Sequence, residues 1–163
     1  MLGDKHQSND TETTKKTIVI PKRKERERYK QLGKDVSGTQ LVFDQQLTAI
    51  NKMYLDEKLE GSSDKVLNEM RREITNKING YKQQDIKKKR HDESKLITFD
   101  DTIEKLVASK LCCYYCKRHV YIVYQNVRQN DQWSLDRIDN SIGHFKDNVI
   151  VPCLECNLKR RRM

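Results

Sequence analysis

The chain is 163 residues long, and charged residues make up 35% of it, as large a share as the apolar residues. A chain so poor in apolar residues does not bury a core along its full length, so we expect part of it to be tail or exposed helix. The net charge of +9 favours a polyanionic partner, and the lack of a strongly apolar helix face bearing Trp or Phe disfavours a membrane surface.

The first 40 residues predict a tail followed by a basic arm. Residues 1–16 are polar, predict a disordered tail and lack the apolar run of a signal peptide. No apolar run in the sequence approaches the length needed to span a bilayer. Residues 17–40 predict the arm, in which residues 21–28 are a candidate nuclear-localisation signal or phosphate-binding segment; a solvated helix start is the alternative. We therefore expect an intracellular protein, in the cytoplasm or nucleus of the host, where disulfides are disfavoured.

Residues 41–95 predict a helical hairpin. Two apolar stripes with three- and four-residue steps each predict an amphipathic helix: the first contains Phe43, Leu47, Ile50 and Tyr54, and the second contains Leu67, Met70, Ile74, Ile78 and Tyr81. Residues 61–63 (GSS) break the pattern, and Ser63 or Asp64 can cap the second helix. Helices joined by so short a turn should pack antiparallel.

Thr98 is the predicted start of a third helix. Asp101 stands three residues further on, in an arrangement like a capping box. The predicted buried side contains Phe99, Ile103, Leu106 and Val107. This helix leads directly into the cysteines.

All five cysteines lie beyond residue 111. Cys113 and Cys116 form one C-x2-C pair, and Cys153 and Cys156 form a second, with residues 117–152 between them. Each pair places two thiolates on one tight turn, so the two pairs predict a closed, structural zinc site. Reduced core cysteines are the alternative, whereas a thioredoxin-like pair is disfavoured because no βαβ pattern surrounds either pair. Cys112 is left over as a buried or half-buried free thiol.

The segment between the cysteine pairs predicts two strands and a loop. Residues 119–124 (HVYIVY) are rich in β-branched and aromatic residues and predict a strand, and residues 133–139 (WSLDRID) predict the returning strand. Trp133 and Phe145 are the predicted core of this part. Residues 157–163 predict a short basic helix, which completes a ββα unit around one ion.

The segment WSLDRIDNSIGHFKDNVIVPCLECNLKR resembles the HNH, or ββα-metal (His-Me finger), endonuclease superfamily. It is most similar to the DRIDN…GH…DNV…CxxCN variants of phages and large DNA viruses, and the resemblance covers about residues 98–163. It implies an α+β fold in which a helical N-terminal region is joined to a small zinc-stabilised ββα domain, here residues 96–163. It also implies metal-dependent hydrolysis of phosphodiester bonds in DNA, with catalytic Mg²⁺ or Mn²⁺ besides the structural Zn²⁺.

The resemblance assigns roles to individual residues of this chain. Asp136 matches the metal-binding Asp, Asn157 the metal ligand on the helix, and Asn148 the Asn that braces the loop. Each has an alternative: Asp136 forms a salt bridge with an arginine, Asn157 caps the helix, and Asn148 bonds only loop backbone.

Arg137 stands where the family has its general-base His. Arginine stays protonated and does not accept a proton as imidazole does. Three interpretations follow: His144 or Asp139 is the base, with His144 preferred; the attacking water loses its proton to solvent while Arg137 stabilises the transition state; or catalysis is lost. Asp139 and Asn140 alternatively form only an Asx-turn.

The basic residues that follow Asn157 are candidate phosphate contacts: Lys159, Arg160, Arg161 and Arg162. A solvated charged terminus is the alternative. For the whole chain, the alternatives to a nuclease are a catalytically silent nucleic-acid-binding protein and a zinc module that binds proteins, the latter disfavoured by the basic charge. A single ββα site cuts one strand, so a double-strand break requires a homodimer or two successive nicks.

Overall fold

The computed structural model describes residues 42–55 and 65–160. These ranges contain helices and one small antiparallel sheet, which confirms the predicted α+β class. The elements in chain order are α1 (Phe43–Tyr54), α2 (Lys65–Lys87), α3 (Phe99–Ala108), β1 (Asp136–Arg137), β2 (Val149–Ile150) and α4 (Leu154–Arg160).

Several predictions fall outside the described residues. These are the tail, the basic arm with its candidate nuclear signal, the turn at residues 61–63 with its candidate caps, and the terminal residues Arg161 and Arg162. Within the described ranges, no helix is long and apolar enough to cross a membrane.

The two predicted apolar stripes differ in how well they match the buried helix faces. In α2 all five predicted residues are buried, from Leu67 to Tyr81. In α1 the prediction is wrong at Tyr54, which is 52% exposed, whereas Ala49 and Met53 are buried. The buried face of α1 is therefore rotated away from Tyr54, and it includes the polar residue Gln46.

Helix α3 begins as predicted. The backbone N–H of Asp101 donates to Thr98 Oγ1 at 3.1 Å, and the backbone N–H of Thr98 donates to Asp101 Oδ2 at 3.1 Å. Two N–H groups that have no partner within the helix are thereby satisfied. Ile103 and Leu106 are buried, and Phe99 packs against the core from a half-buried position.

The predicted strand at residues 119–124 is wrong. This segment makes only isolated bridges, such as Tyr121 with Gln132. The N–H groups of Ile122 and Val123 donate instead to Gln46 Oε1 of α1, at 2.8 and 3.0 Å. A helix side chain therefore takes the hydrogen bonds that a neighbouring strand would have made.

The predicted strand at residues 133–139 is reduced to β1, and its partner is β2. In this antiparallel pair, Asp136 stands opposite Ile150 and Arg137 opposite Val149. The order β1, loop, β2 and α4 still forms a ββα arrangement. Trp133 is fully buried, as predicted, whereas Phe145 is only half-buried.

The helices and the cysteine-rich segment share one apolar core. It extends from Ile50 and Ile74 of the helices to Val120, Trp133 and Val151. Polar contacts reinforce this packing, because the backbone N–H of Leu135 donates to the Tyr81 hydroxyl of α2 at 2.9 Å. Helix α2 therefore holds the residues around β1 in place by a direct hydrogen bond. The segment boundaries drawn from the sequence stay a prediction.

Replacing Gln46 with Ala should lower the free energy of unfolding by about 2–4 kcal/mol, because it leaves buried backbone groups of residues 122 and 123 without partners. Gln46 is fully buried, and its Nε2 also donates to Val123 O at 3.1 Å. Urea unfolding followed by circular dichroism measures the change. The matched control is Gln83→Ala on the exposed side of α2, expected within about 0.5 kcal/mol of the parent. Equal stability of the two variants would refute this account of residues 119–124.

Candidate metal centre and surrounding site

Four cysteines converge at one point. The Sγ atoms of Cys113, Cys116, Cys153 and Cys156 all lie within 4.8 Å of one another. Cys116 Sγ and Cys153 Sγ are 3.9 Å apart, close to the roughly 3.8 Å edge of a tetrahedron with metal–sulfur distances of about 2.3 Å. The group could therefore hold a metal ion such as zinc, with a donor set that leaves no open position.

Each cysteine pair is shaped by its own tight turn. In the first, the backbone N–H of Cys116 donates to Cys113 Sγ at 3.5 Å, and Lys117 adopts a left-handed conformation with φ of 62°. In the second, the backbone N–H of Cys156 donates to Cys153 Sγ at 3.5 Å, within the first turn of α4. Each turn thereby keeps its two cysteines close enough to share one ion.

The thiols of this group differ in acidity. Burial disfavours the thiolate of Cys116, but hydrogen bonds from Arg118, including one from Nε at 3.4 Å, outweigh it and lower the pKa of this thiol to about 6. Burial and the neighbouring thiols raise the pKa of Cys156 to about 12. Thiolates this close repel one another, and a shared cation would offset that repulsion.

Cys112 lies outside the four-cysteine group. It is half-buried, and its Sγ contacts the Lys110 carbonyl at 3.5 Å. The prediction of a leftover thiol is confirmed.

Asp136 forms an ion pair, which is the alternative drawn for it from the sequence. Arg160 Nη1 of α4 lies 2.9 Å from both carboxylate oxygens and also donates to the Arg137 carbonyl. The Tyr115 hydroxyl donates to Asp136 Oδ2 at 2.9 Å. Burial and this hydrogen bond raise the pKa of Tyr115 to about 12. Arg160, a predicted phosphate contact, is thus engaged with the protein's own carboxylate.

Asn157 lies inside α4 rather than at its start, so the alternative that it caps the helix is wrong. Its Nδ2 donates to Ser134 Oγ at 3.0 Å and to Leu135 O at 3.2 Å. Its Oδ1 is buried and has no hydrogen-bond partner among the described residues. A buried acceptor of this kind needs a water or a cation, and Asn157 lies against the backbone just before Asp136.

Asn148 braces the loop between the strands. Its Oδ1 accepts from the backbone N–H of Asp139 at 2.8 Å, and its Nδ2 donates to the carbonyls of Asp139 and Gly143, each at 2.9 Å. Inside this loop the N–H of Ser141 donates to Asp139 Oδ1 at 2.7 Å. The predicted bonding of Asn148 to loop backbone and the predicted Asx-turn are both confirmed.

Asp85 of α2 is a site residue that the sequence-based prediction missed. It is 1% exposed and accepts from the backbone N–H of His144 at 2.7 Å and from Nδ1 at 2.9 Å. Arg137 Nη1 lies 3.8 Å from Asp85 Oδ1. The Tyr81 ring stacks on the His144 ring with centroids 4.5 Å apart. One signal was present: Asp85 follows Tyr81 by four residues and so continues the buried stripe of α2.

Lys159 forms an ion pair on the exposed side of α4. Its Nζ lies 2.7 Å from Glu155, which also pairs with Arg118. The hydrogen bonds from Lys159 and Arg118 lower the pKa of Glu155 to about 2. This second candidate phosphate contact is thus also bonded to a carboxylate.

No family model, curated protein or solved structure matches the chain. What is established is the four-cysteine group and the hydrogen-bonded residues around it. The resemblance of residues 98–163 to HNH endonucleases stays a prediction.

Removing one cysteine of the group should abolish metal binding, whereas removing the leftover cysteine should not. Cys153→Ser is expected to lose bound zinc and to unfold the C-terminal segment, because residues 117–152 contain little regular structure and depend on the ion to hold their ends together. Cys112→Ser is the control and should keep both. Elemental analysis gives zinc content, and thermal melting followed by circular dichroism gives stability. Unchanged melting after complete zinc removal from the parent would overturn the structural role of the metal.

Two glycine substitutions should have opposite effects on stability. A Cβ at Gly143 would lie 2.7 Å from the Arg90 carbonyl and 2.9 Å from Asp85 Oδ2, so Gly143→Ala should destabilise by about 1–3 kcal/mol. A Cβ at Gly80 of α2 meets nothing within 4 Å, so Gly80→Ala should stabilise by about 0.5–1 kcal/mol. Urea unfolding measures both. A neutral Gly143→Ala would contradict the close contact between the loop and Asp85.

Proposed function

We propose that the chain is a metal-dependent endonuclease of the HNH type that hydrolyses phosphodiester bonds in DNA. The main support is the arrangement of Asp136 and Asn157. Asp136 lies on β1, and the Nδ2 atom of Asn157, on α4, bonds the backbone at Leu135, one residue earlier. Both side chains belong to the part of the chain that the four cysteines bring together.

The side-chain oxygens of Asn157 and Asp136 suit a hard divalent cation. Mg²⁺ and Mn²⁺ prefer oxygen ligands, and Asn157 Oδ1 is a buried oxygen with no partner among the described residues. Asp136 would supply a carboxylate. Such an ion, when bound, polarises the phosphate and stabilises the leaving oxygen. The structural Zn²⁺ would be held by Cys113, Cys116, Cys153 and Cys156.

Arginines supply positive charge on either side of the proposed site. Arg160 neutralises Asp136 and can turn to a phosphate when one is present, because a guanidinium bonds phosphate as well as carboxylate. Arg137 donates to the Ile142 carbonyl at 3.1 Å and lies near Asp85. It stays protonated and would stabilise charge that develops on the phosphate.

His144 remains the proposed base, with Asp85 as its positioning residue. The Asp85 carboxylate on Nδ1 fixes the tautomer of the ring, with Nε2 as the atom that would accept the proton from water. Asp139 is the weaker candidate. Its carboxylate already accepts two bonds from Ser141, which lower its pKa.

A catalytically silent nucleic-acid-binding protein is the second candidate. The observation in its favour is that arginines occupy two critical places. Arg160 is bonded to the carboxylate proposed to hold the cation, and Arg137 stands at the position of the family's base. In this candidate the same scaffold would bind phosphates without cleaving them.

Supercoiled-plasmid nicking with added Mg²⁺ or Mn²⁺ tests the proposal. Asp136→Ala and Asn157→Ala should each lower the nicking rate by about 100-fold or more, because each removes an oxygen that the catalytic ion needs. Asn79→Ala, an exposed Asn on α2, is the matched control and should nick like the parent. His144→Ala and Arg137→His then locate the base.

Absence of cleavage of both supercoiled plasmid and single-stranded DNA by folded, zinc-loaded parent protein would refute the nuclease and leave the silent binding protein. Its affinity for DNA should fall with salt, with a log–log slope of about −0.9 for each phosphate neutralised. A flat salt response would exclude both candidates.

A further inference from the structure

The first cysteine turn bears two exposed aromatic rings. Tyr114 is 56% exposed and Tyr115 is 40% exposed. Their ring centroids are 5.3 Å apart, with planes at 89°. Neither ring belongs to the apolar core of the described residues. Core packing therefore does not explain why aromatic residues stand at these two positions.

The position of this tyrosine pair is fixed relative to Asp136. The Tyr115 hydroxyl donates to Asp136 Oδ2 at 2.9 Å. The backbone N–H of Tyr114 donates to the Val151 carbonyl at 2.9 Å, one residue beyond β2. The pair is thus held at the edge of the proposed catalytic site, on a turn that the cysteine group shapes.

A cation accompanies the rings. Lys117 Nζ lies 5.1 Å from the centroid of the Tyr114 ring and donates to the Tyr114 carbonyl at 2.7 Å. Exposed aromatic rings beside a cation are the combination with which proteins bind single-stranded nucleic acid: bases stack on the rings and cations bind phosphates. The net charge of +9 agrees with this type of partner.

We propose that Tyr114 and Tyr115 form a stacking platform for unpaired bases, and that the nucleic acid bound at Asp136 is single-stranded DNA or a DNA with a single-stranded segment. In intact duplex the base faces are covered by neighbouring base pairs and are not available to these rings. This inference rests on the proposed function, because it assigns the substrate class of the site at which that function places the cleaved bond.

Binding of labelled oligothymidylate and of a labelled duplex of equal length tests the platform. Fluorescence anisotropy is measured on the full, zinc-loaded chain without added Mg²⁺ or Mn²⁺, so that cleavage does not interfere. Tyr114→Ala should weaken single-strand binding by about 10-fold and change duplex binding by less than about twofold. Tyr114→Phe should bind like the parent, whereas Tyr114→Leu, which keeps the bulk but not the aromatic face, should bind like Tyr114→Ala.

The matched control is Tyr54→Ala, because Tyr54 is 52% exposed at the end of α1 and should contribute nothing to either affinity. Equal weakening of single-strand and duplex binding by Tyr114→Ala, or none, would overturn the platform. So would a Tyr114→Leu variant that binds like the parent.

The outcome is separable from that of the nuclease proposal. If nicking depends on Asp136 but single-strand binding is unchanged by Tyr114→Ala, the nuclease proposal is retained and the platform is refuted. Single-strand binding that depends on Tyr114 in a protein that never nicks would retain the platform on a silent binding protein.

Discussion

The convergence of four cysteine sulfurs constrains residues 112–160. Between the two cysteine pairs the regular structure amounts to two strands of two residues each and a single 3₁₀ turn, far less than a sheet needs to be stable alone. Closing a long loop costs only slightly more entropy than closing a short one. Because their ends are held at a common point, residues 117–152 can be largely irregular and still place the Leu135 carbonyl, one residue before Asp136, within hydrogen-bond distance of Asn157.

Helix α2 is the second support of this irregular segment. Two of its buried polar side chains form hydrogen bonds to it. Tyr81 accepts a hydrogen bond from Leu135, and Asp85 bonds His144. A buried carboxylate is costly unless donors surround it, and here backbone N–H, imidazole and guanidinium all face Asp85. Asp85 and Asp136 are thus two buried carboxylates, each with an arginine nearby, and part of the basic charge compensates acids of the protein itself.

The features that the sequence predicted correctly depend on short stretches of chain. The stripe of α2, the Thr98–Asp101 cap and the two cysteine pairs are each defined within a few turns of backbone. The errors come from partners that are distant along the chain. Nothing near residues 119–124 indicates that Gln46 takes their hydrogen bonds. A salt bridge of Asp136 is among the alternatives drawn from the sequence, but its partner, Arg160, lies 24 residues further along the chain and could not be named from the local pattern. Asp85 was missed because the role of an acidic residue on an apolar stripe is evident only when the loop that contacts it is known.

Trp133 is the chain's single tryptophan, and its position makes it an internal optical probe. Its ring is fully buried, with Lys77 Nζ of α2 4.8 Å from the centroid, and its backbone bridges to Cys153 of the second cysteine pair. The indole therefore contacts α2, and the backbone of Trp133 is bonded to the second cysteine pair. Its emission should respond whether α2 separates from the core or the cysteine turns open, so both processes are observable in the unlabelled protein.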